Sequence, residues 1–298
     1  MKIDRRHFLK LTTTTGVVAS VNCQMHTAEK HAKSAKEAVL KLSCQDNVAP
    51  GETLAEKLDF LETNGFVGFE PHGRGLSERV EKIQQALQGR NITTSAVCAG
   101  FEGYLIADEE KVRMQAMTSI KEILTAAGEL GSTGMIAVPA FNNQPSLPHK
   151  EARAVLVDLL KELAEHAVQN NTRVLLEPLN RREAHFLRQL ADAAAICKDV
   201  GSPGVAVMGD FWHMTWEEPS DMGAIISAGD YLHHMHMASR KRRKMPGEDE
   251  GDNYVDGFKG LKMIGYQDFI SLECGSVGDK KETIPAAVKL IQEQWVIA

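Results

Sequence analysis

Several short apolar segments in the second half of the chain end at a side chain that can bind a metal ion. The clearest of them, residues 174–176, runs directly into Glu177 and Pro178. Because proline cannot donate a hydrogen bond to a sheet ladder, the strand is predicted to end at the glutamate. Three later segments end in the same way, so one carboxylate or imidazole follows each of four consecutive predicted strands. The four residues at these ends are Glu177, Asp210, His236 and Glu273.

The intervals between these four residues are 33, 26 and 37 residues long, and each fits a strand, a helix and two loops. The alternation extends upstream to about residue 38, which gives eight predicted strands in roughly 260 residues, the size of a single (β/α)8 TIM barrel. In this α/β fold every strand end faces one mouth, whereas a doubly wound sheet gathers its ligands at one crevice. We therefore predict one barrel over residues 38–298.

The predicted strands are 39–45, 66–70, 92–98 and 135–138, followed by strands that start at 174, 205, 231 and 269. The predicted helices are 53–64, 76–87, 109–130, 148–169, 186–200, 222–227, 256–264 and 284–294.

Composition narrows the class of partner. A net charge of −6 provides no general attraction to nucleic acid or to an anionic membrane. The five cysteines are odd in number and contain no C-x-x-C pair, which indicates neither a disulfide framework nor a zinc knuckle. We expect a small-molecule ligand, no nucleic acid and no membrane span, and the sequence leaves a homo-oligomer open.

The N-terminal segment is predicted to lie outside the fold. Residues 4–10, DRRHFLK, resemble the twin-arginine export motif of bacteria, and the weakly apolar residues 11–21 are too few to span a membrane. We predict a twin-arginine signal peptide over residues 1–23, a polar linker over 24–37 and export to the periplasm. A disordered basic tail is the alternative. Cys23 is a candidate for lipidation after cleavage, although the preceding Asn22 is unusual at that position.

The donor set suggests which metal would bind. Three carboxylates and one imidazole suit Mn²⁺, Co²⁺ or Mg²⁺ better than a sulfur-preferring ion, and Zn²⁺ is less expected. We predict that Glu177, Asp210, His236 and Glu273 hold one divalent ion.

Motifs around these ligands resemble those of the xylose-isomerase-like sugar isomerases and epimerases, particularly the D-tagatose/D-psicose 3-epimerase branch. The resemblance implies the TIM barrel fold, a sugar substrate and one divalent metal at the four ligands. It also implies that His213, Glu183 and Arg242 contact the substrate. The motifs that carry it are EPLNR with Glu183, VGSP at 200–203, DFWHM at 210–214, HMH at 234–236, PGE at 246–248 and LE at 272–273.

The sequence departs from the family pattern at three places. Arg182 stands where an aromatic residue is common, Cys274 stands where serine is common, and residues 249–253 add an acidic loop. These departures bear on the identity of the sugar and not on the metal site.

The expected reaction starts with removal of a proton from the carbon next to a carbonyl. A divalent metal stabilises the resulting enediolate, and a carboxylate on each face exchanges the proton. Because Glu177 and Glu273 follow the fifth and eighth strands, we predict that they are the catalytic pair acting on opposite faces. General acid–base help of this kind is worth about 10²–10⁴ in rate.

Other functions remain as alternatives. An exported 3-keto-glycoside lyase or hydrolase would begin with the same proton abstraction and continue by β-elimination, and a sugar-binding barrel would lack turnover. Apurinic endonuclease chemistry is disfavoured, because no histidine follows His236 and none lies in the third-strand mouth. The basic run 240–244 is either a solvated loop or, through Arg242, a substrate contact. His72, Phe101 and Trp212 are candidates for lining the pocket.

Overall fold

Eight parallel strands follow one another around the molecule, with helices between them. The structure is a computed structural model that describes residues 36–298. The predicted signal peptide, Cys23 and the linker as far as residue 35 lie outside these residues. The strands are β1 Lys41–Gln45, β2 Gly68–Glu70, β3 Thr93–Thr94, β4 Met135–Ala137, β5 Val174–Leu176, β6 Val205–Asp210, β7 Leu232–Met237 and β8 Phe269–Leu272.

Nine α-helices and two 3-10 turns, Ser77–Arg79 and Gly229–Tyr231, occur in this part of the chain. The α-helices are α1 Leu54–Thr63, α2 Val80–Leu87, α3 Glu110–Glu129, α4 His149–Gln169, α5 Leu190–Val200, α6 Phe211–Glu217, α7 Asp221–Ala228, α8 Val255–Met263 and α9 Lys280–Ile297. Within residues 36–298 no helix combines the length and apolar character needed to cross a membrane.

The sheet curls into a barrel. Its strand order is β3-β2-β1-β8-β7-β6-β5-β4, and all neighbouring strands are parallel. The two outer strands meet at a parallel bridge between Val97 and Met135, where Val97 N donates to Gly134 O at 2.9 Å and Ile136 N donates to Val97 O at 2.9 Å. The prediction of a single (β/α)8 barrel is confirmed.

The main core lies between the strands and the surrounding helices. Helical residues spaced three or four apart supply it, such as Leu58 and Leu61 of α1 and Ile120 and Leu124 of α3, all fully buried. Side chains alternate along a strand, so the other set faces the barrel interior. That set forms a second apolar cluster of Ala96, Ile136, Leu175, Ala206 and Met208.

The barrel interior becomes polar toward the carboxyl ends of the strands. Ser43 of β1 and Ser95 are fully buried, and their hydroxyl oxygens lie 2.6 Å apart. Gln45, Glu70 and His236 stand at or near the ends of β1, β2 and β7 and are also buried. Buried polar groups need hydrogen-bond partners, so they are usually rare in a barrel interior. Their concentration at the carboxyl ends of the strands makes this end the candidate location of the functional site.

Some predicted elements differ from the observed ones. The third strand is regular over only two residues, since its later part pairs through single bridges rather than a continuous ladder. The helix predicted from residue 186 starts at Leu190, and the last helix extends over Lys280–Ile297. No predicted helix corresponds to α6, which begins directly after β6 because Asp210 caps it.

Candidate metal centre

Strands β5 to β8 bring the four predicted ligands into one group. One ligand atom from each of Glu177, Asp210, His236 and Glu273 lies within 4.8 Å of those from the others. Asp210 and His236 are 1% exposed and Glu177 is 7% exposed, so the group sits at the bottom of the barrel mouth. The structure therefore assembles all four residues that the sequence selected.

The imidazole of His236 has two different environments. Its Nε2 atom lies 3.0 and 3.1 Å from the two carboxylate oxygens of Glu70. Its Nδ1 atom lies 3.1 Å from Glu273 Oε2 and 3.9 Å from Glu177 Oε1, yet it makes no hydrogen bond to any residue that the structure describes. One nitrogen is thus held by Glu70, and the other faces the ligand group.

The two carboxylate oxygens of Asp210 also face different partners. Its Oδ1 accepts a hydrogen bond of 2.8 Å from Trp212 N, which caps the first turn of α6. Its Oδ2 faces the ligand group, 3.2 Å from Arg243 Nη2 and 3.6 Å from His213 Nε2. The helix cap therefore fixes the orientation of a predicted ligand.

The electrostatics of the group fit a divalent cation. Burial and the neighbouring Glu273 carboxylate raise the pKa of Glu177 to about 8. Burial also opposes ionisation of Glu273, but His236 and Arg243 outweigh it and lower its pKa to about 2. The raised pKa of Glu177 shows that its charge is disfavoured beside Glu273, which a bound cation would relieve, and His236 Nδ1, without a hydrogen-bond partner among residues 36–298, points into the group. These oxygen and nitrogen donors match the ligands of Mn²⁺, Co²⁺ and Mg²⁺.

His213 lies on α6, beside the ligand group. Its Nδ1 accepts a hydrogen bond of 3.1 Å from the backbone N–H of Asn180, so the ring proton belongs on Nε2. Burial lowers the pKa of His213, which favours this neutral form. The Nε2 atom is buried without a hydrogen-bond partner among residues 36–298. It is therefore an available donor next to Asp210, as the proposed substrate contact requires.

Glu183 approaches the same region from the loop after β5. Its Oε1 accepts a hydrogen bond of 3.2 Å from Asn180 Nδ2. Asn180 thus orients both Glu183 and His213, which the sequence alone had connected only through a family resemblance.

The structure places Arg242 away from the ligand group. Its guanidinium pairs with Asp249 and its side chain is 54% exposed. The adjacent Arg243 points inward instead, where its guanidinium contacts Asp210 and Glu273 and lies 4.7 Å from the centre of the Trp212 ring. Arg243 has a φ of 54°, and this left-handed turn, which spacing does not reveal, decides which arginine faces the site.

Glu70 and Gln45 belong to the site but were not selected from the sequence. Glu70 ends β2 as Glu177 follows β5, so the same strand-end signal was present in the FVGFE segment. Gln45 Nε2 donates to Glu70 Oε1 at 2.9 Å. The first half of the barrel therefore contributes to the site through a hydrogen-bonded carboxylate.

A cavity of about 470 Å³ opens beside the ligand group, over the ends of β1 to β3. His72 lines it, as the sequence suggested, whereas Phe101 does not. Its only lysine, Lys57, is 2.7 Å from Asp46 and so is already paired. Burial and the nearby Arg74 and Arg79 lower the pKa of His72, which keeps this ring neutral at pH 7. The lining residues are Gln45, Asp46, Asn47, Lys57, Glu70, His72, Cys98 and Glu273.

Comparison with known families assigns the barrel to one of them. Residues 58–294 match the family model described as xylose isomerase-like TIM barrel, and the chain belongs to this family.

Characterised relatives carry epimerase names. The chain is 30% identical over 243 residues to the 3-dehydro-D-guloside 4-epimerase of Escherichia coli, covering 78% of this chain and 92% of the relative. It is 39% identical over 117 residues to the D-psicose 3-epimerase of Agrobacterium fabrum, covering 39% of this chain and 40% of the relative. These names confirm the expectation of an enzyme of the sugar isomerase and epimerase class.

Solved structures agree with the fold. The apo 3-keto-D-glucoside 4-epimerase from E. coli superposes with a TM-score of 0.77 at 26% identity, covering 87% of this chain and 100% of that one. A D-psicose 3-epimerase crystallised in the presence of D-fructose gives a TM-score of 0.76 at 20% identity, covering 86% and 99%. The second likeness shows the fold alone.

Proposed function

We propose that the protein is a divalent-metal-dependent epimerase of a keto-sugar, acting on the carbon next to the carbonyl. The observation that carries this proposal is the group that brings Glu177 and Glu273 together with Asp210 and His236, four residues whose ligand atoms are close enough to hold one ion. When bound there, Mn²⁺, Co²⁺ or Mg²⁺ would supply positive charge that polarises the substrate carbonyl and offsets the charge of the enediolate.

Residues of the chain transfer the protons and donate hydrogen bonds to the substrate oxygen. One of Glu177 and Glu273 removes the proton next to the carbonyl, and the other returns a proton to the opposite face, so the carbon is inverted. The Nε2–H of His213 and the guanidinium of Arg243 donate hydrogen bonds to the oxygen that becomes negative. Both donors already lie beside Asp210, at 3.6 and 3.2 Å.

We further propose an uncharged 3-keto-glycoside as the substrate, with inversion at C4. The E. coli 4-epimerase named above supports this class, since the likeness extends over 92% of that protein. The cavity supports it as well, because its carboxylates outnumber its one lysine, which is itself paired with Asp46. A phosphorylated sugar would find no free cation in that wall.

The test is proton exchange in D₂O, followed by NMR. Mn²⁺-loaded protein is incubated with a 3-keto-glucoside and, in parallel, with D-fructose and D-psicose. Epimerisation predicts deuterium at C4 of the inverted glycoside. Release of the aglycone would instead identify β-elimination, the lyase alternative. No exchange and no product with any of these sugars, under several metals, would overturn the proposal.

A further inference from the structure

Glu70 is a buried carboxylate that connects the two halves of the barrel. It ends β2 and is 1% exposed. Its Oε2 lies 2.9 Å from His234 Nε2, and both of its oxygens lie within 3.1 Å of His236 Nε2. Gln45 Nε2 donates to its Oε1 at 2.9 Å. A charge buried so deeply is tolerated only when several donors surround it, as here.

We infer that Glu70 is a positioning residue for the metal site, acting through His236. A neutral imidazole has one N–H and one lone pair, and the partner of the N–H decides which nitrogen carries each. Glu70 accepts from Nε2, so in the neutral form that binds a metal the lone pair of His236 belongs on Nδ1. That nitrogen is the one that faces Glu177 and Glu273. This inference rests on the proposed metal centre and concerns how the chain prepares it.

The neighbouring His234 keeps Glu70 in place. Because His234 and His236 are two residues apart on β7, their side chains project from the same face of the strand. Their ring centres are 5.1 Å apart and nearly perpendicular, at 84°. Each ring presents Nε2 to the same carboxylate. With Gln45 on its other side, Glu70 is restrained by three residues and cannot rotate away from His236.

A second metal ion among Glu70, His234 and His236 is the competing interpretation, because their donor atoms are also close enough together to hold one. Two observations favour hydrogen bonds. His236 would have to bind an ion through each of its nitrogens, and Glu70 Oε1 already accepts the amide N–H of Gln45. The two interpretations differ in metal stoichiometry, which can be measured.

The test is a double-mutant cycle on metal affinity. Mn²⁺ binding is measured by calorimetry for wild type, Glu70→Gln, His236→Gln and the double variant. Loss of an outer partner of a ligating histidine typically costs about 10–100-fold in metal affinity. We expect a fall of this size for Glu70→Gln in the wild-type background and almost none in the His236→Gln background. The Co²⁺ absorption spectrum of Glu70→Gln should also change, since it reports the imidazole donor.

His234→Gln is the matched control, because it removes a partner of the same carboxylate and leaves His236 in place. Its loss of affinity should be smaller than that of Glu70→Gln. Circular dichroism and thermal unfolding show whether each variant is folded. If Glu70→Gln does not fold, ¹⁵N-histidine NMR of the Mg²⁺-loaded wild type replaces it, and His236 should carry its proton on Nε2.

Three results would overturn the inference. Two Mn²⁺ ions per wild-type chain, with one lost in Glu70→Gln, would make Glu70 a ligand. If Glu70→Gln lowered the Mn²⁺ affinity equally in the wild-type and His236→Gln proteins, Glu70 would act on the fold and not through His236. A proton on Nδ1 of His236 would reverse the assignment. Failure of the proposed epimerase activity leaves these measurements unaffected, since none of them uses a sugar.

Discussion

Several side chains in this site use one polar atom for a structural hydrogen bond and turn another toward the ligand group. Asp210 uses one oxygen to cap α6 and turns the other toward the ligand group. His236 uses Nε2 to bind Glu70 and turns Nδ1, which has no hydrogen-bond partner within residues 36–298, toward the ligand group. Asn180 fixes His213 through its backbone N–H and Glu183 through its side chain. The geometry of the site therefore depends on which atom of each residue is already engaged.

Replacing Asp210 by Asn should weaken metal binding. The substitution removes a negative charge from the ligand group but can keep the cap, because the amide oxygen still accepts from Trp212 N. We expect the affinity for Mn²⁺ to fall by at least the roughly 10–100-fold that an outer partner is worth. Equilibrium dialysis with elemental analysis measures it. Asp199→Asn, at a 54% exposed carboxylate paired with Arg153, is the control, and wild-type affinity in Asp210→Asn would contradict the assignment.

The two glutamates should matter more for turnover than for metal binding. Gln retains an oxygen ligand but cannot exchange a proton, so Glu177→Gln and Glu273→Gln should each lower kcat by about 10²–10⁴. If the two act on opposite faces, one variant should still exchange the substrate proton with D₂O without inverting the carbon. A double variant with wild-type kcat would exclude this pair.

The loop between β7 and α8 is the element that delivers Arg243. Asp249 accepts hydrogen bonds from the backbone N–H groups of Lys241 and Arg242 at 2.9 Å and from the Ser239 hydroxyl at 2.6 Å. Glu248 binds the backbone at residues 277 and 278 of the next loop. The acidic loop noted in the sequence thus organises the backbone that holds Arg243 in its left-handed conformation.

Asp249→Asn should disturb this loop more than the metal centre. Hydrogen bonds to a charged group contribute about 1.5–3 kcal/mol, so a loss of this order in unfolding free energy is expected at pH 7. We expect lower kcat/KM, because Arg243 is less well placed, and nearly unchanged Mn²⁺ affinity. Urea unfolding and calorimetry make the comparison. A large loss of metal affinity would show that the loop supports the ligands themselves.

The contribution of Asp249 to the unfolding free energy should decrease as the pH falls. The same hydrogen bonds, against the cost of burial, hold the pKa of Asp249 below its usual range in the folded protein. Its contribution to stability is therefore complete at neutral pH and is lost as the pH falls below about 4. The stability difference between wild type and Asp249→Asn should shrink over that acidic range.

The strand-end pattern predicted the fold and the ligand group because parallel strands bring their carboxyl ends to one place. It could not predict the α6 helix, whose start depends on the Asp210 cap. The family resemblance implied Arg242 as a substrate contact, whereas in the structure the left-handed Arg243 contacts Glu273. The strand-end signal is present at Glu70 as well, but the role of Glu70 depends on partners on β7, 164 and 166 residues away, which the sequence does not reveal.

The ligand group exists only in the closed barrel. The ligands come from four successive strands, and the unfolded chain cannot hold them together. An ion that binds only the native state stabilises it by about 2.7 kcal/mol at a hundred times its Kd. Metal binding should therefore be coupled to the stability of the entire fold.

Removing the metal should lower the melting temperature. For a domain of this size, 2.7 kcal/mol corresponds to roughly 5–10 °C. Differential scanning calorimetry with excess Mn²⁺ and with EDTA should show this difference in wild type and a smaller one in Asp210→Asn. An identical shift in both proteins would indicate that the ion binds elsewhere.

We also propose that residues 1–23 direct export of the folded, metal-loaded protein through the twin-arginine route, into the periplasm. Changing Arg5 and Arg6 together to lysine should retain the protein in the cytosolic fraction. Lys10→Arg conserves charge outside the arginine pair and is the control. Immunoblots of cytosolic, periplasmic and membrane fractions test both variants, and a membrane-bound wild type released by Cys23→Ala would identify a lipid anchor.

The residues around the cavity differ in how freely evolution can replace them. One wall consists of loops after β1 to β3, which carry Asp46, Asn47 and His72, and Glu273 connects the cavity with the ligand group on β5 to β8. A lineage can therefore acquire a new sugar by replacing loop residues in the first half while it inherits the chemistry of the second half unchanged. Glu70 is the exception, since it lines the cavity on the side of the first strands but is hydrogen-bonded to His236. Descendants that lose Glu70 should also have altered their metal preference, so that a change of ion, and not only of substrate, would mark that branch.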